Sequence, residues 1–206
     1  GRLAAAEAAR GEKAAASRRL AAAQEAIGED ADLALEVASD WLQVGNEAAA
    51  QVLLARFAAS PGAQSIDWRL GEARLLERLG AFGAVRVALS RIESVGSLTA
   101  EQRETIEALK VSAAIREAES LLEAGRPLEA IRALEGVRPA RSSPAQGARA
   151  SGVRADALRA ARRLDEADAA YGEVLAVEPD NIGALLARSE LAGERGDEAG
   201  ARRFVE

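Results

Sequence analysis

The sequence lacks three residue types that carry much of enzyme chemistry: its 206 residues include no cysteine, no histidine and no methionine. Without cysteine and histidine there is no disulfide, no thiolate nucleophile, no imidazole acid–base catalyst and hardly any zinc or copper site. Aromatic residues make up only 3% of the chain, which argues against β-sandwiches and barrels, while the many alanines favour helices. We therefore expect an all-α protein.

Motifs for nucleotide, membrane and nucleic-acid binding are also missing. No long uncharged apolar run is present, and the turn Gly80–Gly83 lacks the lysine and third glycine of a phosphate-binding loop. Serine and lysine residues have no visible activating neighbour, and the net charge of −6 argues against nucleic acid as a partner. The sequence thus predicts no enzyme, with no catalytic residue, no cofactor and no metal.

Turn residues that separate two amphipathic stretches recur along the chain. They are Gly11, Gly45, Gly80, Gly125 and Gly196, with Arg162 in the equivalent place between the last two. The successive intervals are 34, 35, 45, 37 and 34 residues. An interval of about 34 residues is typical of two-helix repeats, so the sequence predicts a series of helical hairpins that turn at these residues.

A second pattern recurs at a fixed distance after each of these turn residues. Five residues after each turn residue stands a small or compact side chain, and four residues later stands a larger apolar one. On a helix this spacing places both on one face, where the small residue lets two helices approach closely. The predicted small positions are Ala16, Ala50, Val85, Ala130, Ala167 and Ala201, and the larger ones are Leu20, Leu54, Leu89, Leu134, Tyr171 and Val205.

The stretch 164–197 resembles the tetratricopeptide-repeat family. Ala167, Tyr171 and Pro179 fall at that family's small, aromatic and proline positions. The resemblance implies an all-α, right-handed solenoid of about six antiparallel helix pairs; a non-repetitive helical bundle is the alternative. It also implies a set of core repeat positions, namely Ala50, Ala130, Ala167, Tyr171, Pro179 and Ala201.

Twelve helices in six pairs are predicted. The first helices are expected near 1–10, 30–44, 64–79, 100–124, 143–161 and 181–195, and the second helices near 12–26, 47–59, 81–94, 127–137, 164–177 and 197–206. The chain starts without methionine and neither end carries a polar capping helix, so residues 1–206 are expected to form one fragment of a longer array. Irregular junctions near 94–99 and 136–143 are expected to act as hinges.

Local signals explain the longest interval and mark several helix starts. Thr99 and Gln102 form a capping-box pattern that lengthens the fourth first helix by about three turns. Ser143 followed by Pro144 is typical of a cap and a first-turn proline, and a side chain at 180–181 can cap the next helix.

The aromatic residues are predicted to lie in the core. Trp41, Trp68, Phe57, Phe82 and Tyr171 fall on inward faces or at boundaries between pairs. Stacking on a carbohydrate needs exposed aromatic faces, so this chain is not expected to grip a glycan in that way.

Charge is distributed unevenly along the sequence. Residues 25–47 contain seven acidic residues and no basic one, whereas residues 138–163 contain seven arginines with Asp156 as the single acid. Two interpretations remain open for the arginines: a solvated surface with local bias, or an electrostatic docking patch for an acidic partner.

The tetratricopeptide resemblance implies an interaction surface on the first helices. By that family's geometry it comprises Asp32, Leu35, Ser39, Leu42, Arg74, Arg78, Ile115, Arg149 and Arg159. Repeat solenoids present extended concave binding surfaces, so the resemblance implies a protein-interaction scaffold.

Two segments, Arg91–Arg103 and Ala118–Ala130, resemble the periplasmic repeat region of the cellulose synthase operon protein C family. That resemblance implies a periplasmic scaffold in a cellulose or exopolysaccharide synthesis and export machine. Its partners would be other envelope proteins and peptidoglycan, with no direct membrane insertion of this chain. Repeat proteins of pilus assembly and of alginate or poly-glucosamine secretion share the pattern and remain alternatives, as does a cytoplasmic adaptor. A cytoplasmic co-chaperone clamp is disfavoured because the only lysines are Lys13 and Lys110.

Overall fold

The computed structural model describes Glu7, Arg10, 12–137 and 143–196, and the regular elements in these residues are all helical. In chain order the α-helices are α1 (Lys13–Ala26), α2 (Ala31–Gln43), α3 (Glu47–Phe57), α4 (Ile66–Arg78), α5 (Phe82–Glu93), α6 (Ala100–Glu123), α7 (Pro127–Ala133), α8 (Pro144–Ala160), α9 (Leu164–Val177) and α10 (Ile182–Glu194). A short 3-10 helix, Gly62–Gln64, lies between α3 and α4. The predicted all-α class is confirmed. Apart from Glu7 and Arg10, the helix predicted at 1–10 falls outside the described residues, as do Gly11 and the helix predicted at 197–206 with Ala201 and Val205.

Four pairs of consecutive helices are joined by three-residue turns of one design: α2–α3, α4–α5, α6–α7 and α8–α9. The middle residue of each turn has a positive φ, 81° at Gly45, 68° at Gly80, 71° at Gly125 and 61° at Arg162. The next residue donates its amide to the carbonyl five positions earlier, at 2.8–2.9 Å. This is the Schellman arrangement that ends helices. The turn positions predicted from spacing are confirmed at these four residues, and Gly196 adopts φ 77° after α10.

Arg162 is the one non-glycine residue with positive φ in the described part of the chain. A side chain costs about 1–2 kcal/mol in this conformation, and the exposed Arg162–Glu194 ion pair at 3.3 Å returns little of it. We expect Arg162→Gly to raise the free energy of unfolding by up to about 1 kcal/mol, since the extra freedom of glycine in the unfolded chain offsets part of the gain.

Gly125→Ala is the matched control, because it places a side chain in the same turn conformation and should lower stability by about 1 kcal/mol. Denaturant titration followed by circular dichroism measures both variants. Equal losses at the two positions would contradict a shared turn geometry.

Burial follows the predicted repeat phase. The small positions Ala16, Ala50, Val85, Ala130 and Ala167 are each 0% exposed. The larger residues one helical turn later are 1–4% exposed, and they are Leu20, Leu54, Leu89, Leu134 and Tyr171. The second helix of each pair therefore buries the same face at each repeat, with a residue small enough for close approach of its neighbour.

Capping interactions place several helix starts where the sequence indicates. Thr99 Oγ1 accepts the Gln102 amide and Gln102 Oε1 accepts the Thr99 amide, both at 3.1 Å. Helix α6 then continues unbroken to Glu123, which confirms the predicted extension. The Ser143 hydroxyl oxygen caps α8, and the Asn181 side chain caps α10.

Helix α7 is shorter than predicted, since it ends at Ala133 instead of continuing to 137. Beyond it the amides of Leu134, Glu135 and Val137 bond to carbonyls three residues back, as in turns. Glycine at 136 disfavours another helical turn, and proline at 139 cannot donate a helical hydrogen bond.

The chain divides into two compact units, Gly1–Gln102 and Arg103–Glu206. The core of unit 1 contains Trp41, Phe57 and Trp68, at 1–4% exposed. The Trp68 indole N–H donates to the Ala31 carbonyl at 2.8 Å, which ties α4 to the start of α2. Phe82, also predicted as core, is only half-buried. In the described residues of unit 2, one core cluster is shared by α6, α7 and α8 and another by α8, α9 and α10.

Candidate interaction surfaces

In unit 1 the predicted surface residues lie on two neighbouring first helices, α2 and α4. Asp32, Leu35, Ser39 and Leu42 lie on α2, and Arg74 and Arg78 on α4; we call these six residues the α2–α4 face. Arg78 Nη1 donates to Ser39 Oγ at 3.0 Å, which joins the two helices across this face.

Close approach of α2 and α4 depends on Gly71. A Cβ atom built on this glycine would stand 2.7 Å from Leu35 Cδ1, so any side chain there would force Leu35 to move. Leu35 and Leu42 are half-buried and pack against the core of unit 1. The α2–α4 face therefore has a partly buried apolar centre.

Charged side chains flank this apolar centre. Asp32, Arg74 and Arg78 are exposed. Among the residues that the structure describes, no carboxylate lies within ion-pair distance of Arg74, and Arg78 donates to the neutral hydroxyl of Ser39. Cationic heads beside an apolar strip suit a partner segment that carries carboxylates next to apolar residues.

In unit 2 the arginines predicted as a docking patch are paired within the chain. Arg149 donates to Glu119 through Nε and Nη2 at 2.8–3.0 Å, and Arg159 donates to Glu190 at 2.6 Å. The other described arginines of this stretch behave alike: Arg154 pairs with Glu173, Arg162 with Glu194 and Arg163 with Glu166. Arg138 and Arg141 lie outside the described residues. Each described arginine of this stretch thus has a carboxylate partner within the chain, and docking of an acidic partner there stays a prediction.

The structure corrects the prediction that Ile115 belongs to the interaction surface. Its side chain is 2% exposed and lies in the core cluster of α6, α7 and α8 with Ala130, Leu134 and Ala150. Ile115 lies within α6, on a face that packs against α7 and α8 of the same unit.

The core repeat positions Ala50, Ala130, Ala167 and Tyr171 are buried, and Pro179 is an exposed residue of the loop after α9. Tyr171 anchors α9 to α8 because its hydroxyl donates to Asp156 Oδ1 at 2.5 Å. Burial of the ring, and next the hydrogen bond to the Asp156 carboxylate, raise the pKa of Tyr171 well above its ordinary value near 10.

The raised pKa predicts how Tyr171, the single tyrosine of the chain, titrates at alkaline pH. A raised native pKa favours the neutral phenol, so the contribution of Tyr171 to stability is complete below about pH 10 and falls as pH rises above it. We expect no phenolate absorbance at 295 nm from the folded protein at about pH 11, and titration near pH 10 in concentrated denaturant. Titration of the folded protein near pH 10 would contradict the buried hydrogen bond.

Two hollows in the described residues are large enough to hold atoms of a partner. One in unit 1, of about 430 Å³, lies among α3, α4 and α5. The other in unit 2, of about 240 Å³, is lined by α8 and α9, and there the buried Ser151 hydroxyl donates to Glu173, which also pairs with Arg154. The polar groups of this second hollow therefore satisfy one another.

The residues that the structure describes contain no group of three or more carboxylates that could hold a metal ion. They also contain no helix long and apolar enough to cross a membrane.

Comparison with known proteins gives no assignment for this chain. No protein-family model matches the sequence, and no curated protein matches it at a significant level.

Proposed function

We propose that the chain is a non-catalytic protein-interaction scaffold built from tetratricopeptide-type helix pairs. The observation that carries the proposal is the recurrence of one helical hairpin, with the same turn geometry and the same fully buried small residue. Hairpins that stack through such faces leave one side of their first helices free for a partner. The scaffold would act through the α2–α4 face in unit 1.

The biological setting we propose is the bacterial periplasm, in a cellulose or exopolysaccharide synthesis and export machine. Support comes from the resemblance of Arg91–Arg103 and Ala118–Ala130 to the cellulose synthase operon protein C family. Its partners would be other proteins of the envelope complex, with peptidoglycan as a further one. Scaffolds of pilus assembly or of alginate or poly-glucosamine secretion, and a cytoplasmic adaptor, are the alternatives.

Charge reversal on the α2–α4 face tests this proposal. The full chain, as wild type and as Arg74→Glu with Arg78→Glu, is used to capture proteins from the envelope fraction of the bacterium that encodes it. Both side chains are exposed, so the variant should fold. We expect at least a ten-fold lower recovery of a specific partner, because close charge pairs across interfaces contribute strongly to binding.

Arg18→Glu with Arg103→Glu is the matched control, since it changes net charge equally at exposed arginines outside the α2–α4 face. Full recovery with this control and loss with the face variant support the proposal. Equal recovery with all three proteins would refute it, and the identity of the partner decides between polymer export and the other envelope machines.

A further inference from the structure

The hollow of unit 1 is a groove formed mainly by the second helices α3 and α5, with α4 beneath. Its apolar wall includes Leu54 from α3, Leu76 from α4, and Ala84 and Val87 from α5. Val87 is 51% exposed although it is a large apolar residue. A groove between two helices with an exposed apolar edge has the shape that accepts a third, amphipathic helix.

Glu72 is the one carboxylate among the residues that line this mainly apolar groove. Glu72 of α4 lines the groove and is half-buried. Among the described residues, no side chain forms a hydrogen bond or ion pair with it. Burial raises the pKa of Glu72, and the more distant charges of Arg91 and Arg69 offset this only in part. The carboxylate is thus partly removed from water without a direct partner.

This charge restricts what can cover the groove. A purely apolar occupant would complete the desolvation of Glu72, and a buried unpaired carboxylate is strongly unfavourable. An occupant with an ammonium or guanidinium group at that point would replace the lost water with a charge-assisted hydrogen bond. Arg91 lies on the rim and is exposed, where it can meet an acidic residue on the outer face of the same occupant.

We propose that this groove binds an amphipathic helix of a partner protein that carries one lysine or arginine within its apolar face, directed at Glu72. This second-helix groove uses residues different from those of the α2–α4 face, and it goes beyond the proposed function. The chemistry at its centre is also opposite, since the α2–α4 face suits carboxylates and Glu72 suits a cation.

Gly83 provides a variant that blocks the groove without harming the fold. It lines the groove near the start of α5, and a Cβ atom added there would meet nothing within 4 Å. The phenyl ring of Gly83→Phe should therefore occupy the groove without displacing neighbouring atoms. Val87→Asp places a charge on the apolar edge, and Glu72→Gln removes the carboxylate while keeping its shape.

Val52→Asp is the matched control for Val87→Asp. Val52 is 63% exposed and occupies the equivalent position of the preceding repeat, seven residues after the turn glycine, but it does not line the groove.

The test is selection from a displayed library of amphipathic helical peptides of about five turns, in which the residue at the centre of the apolar face is randomised. The full chain is the target. We expect wild type and Val52→Asp to enrich lysine or arginine at the centre, and replacing that residue by leucine to weaken binding at least ten-fold. Glu72→Gln should lose this preference, and Gly83→Phe and Val87→Asp should lose binding.

Failure to enrich any peptide, enrichment without a basic preference, or undiminished binding to Gly83→Phe would overturn the proposal. Circular dichroism confirms that each variant is folded. Peptide binding to the groove is also measured with a chain that carries both Arg74→Glu and Arg78→Glu. The result then does not depend on the α2–α4 face.

Discussion

Replacement of Trp68 by alanine is expected to lower the free energy of unfolding of unit 1 by about 3–5 kcal/mol. Trp68 is 1% exposed and among the largest fully buried side chains in the described residues. Its removal leaves a cavity in the core and also leaves the Ala31 carbonyl without the indole N–H that donates to it at 2.8 Å. Both effects act at the junction of α2 and α4.

Trp68→Phe separates the two contributions because it keeps most of the ring volume and removes the indole donor. We expect a loss of about 0.5–1.5 kcal/mol, the net contribution of one hydrogen bond, because the Ala31 carbonyl also accepts a hydrogen bond within α2. Denaturant unfolding followed by the fluorescence of Trp41, the other tryptophan and also a residue of this core, measures unit 1 directly. An alanine variant as stable as wild type would contradict the burial of Trp68.

The second large effect is expected from Ala167→Leu, at about 1–3 kcal/mol. Ala167 is 0% exposed and lies on the face of α9 that packs in the core cluster shared by α8, α9 and α10. The extra carbon atoms of leucine have no space and would push α9 away from its neighbours, including the contact of Tyr171 with Asp156.

Ala169→Leu is the control, since Ala169 is exposed on the same helix and its replacement should change stability by no more than about 0.5 kcal/mol. The midpoint and slope of denaturant unfolding distinguish the two variants. Similar midpoints would mean that the repeat phase assigned to α9 is wrong.

Local chemistry made much of the fold predictable. The left-handed turns follow from glycine spacing, and even Arg162 is found because it occupies the place of a glycine in an otherwise regular series. Caps at Thr99, Ser143 and Asn181 depend only on residues three positions away, so sequence patterns record them directly.

The candidate surfaces were less predictable because they depend on contacts between repeats. The carboxylates that pair with Arg149, Arg159 and Arg162 stand 30, 31 and 32 residues away. A local charge count misses them, although a search for opposite charges about one repeat apart would have found them. No such sequence pattern indicates the environment of Glu72, because that environment arises where α3, α4 and α5 meet.

The proposal that the scaffold binds through the α2–α4 face is tested most directly by site-specific photo-crosslinking. A photoreactive amino acid is placed at Asp32 or Arg74, both on the face, or at Arg18, an exposed position on α1, and the full chain is expressed in the cells that encode it. We predict covalent attachment of one and the same protein from positions 32 and 74 and none from position 18. Equal labelling from all three positions, or none from 32 and 74, would contradict the account.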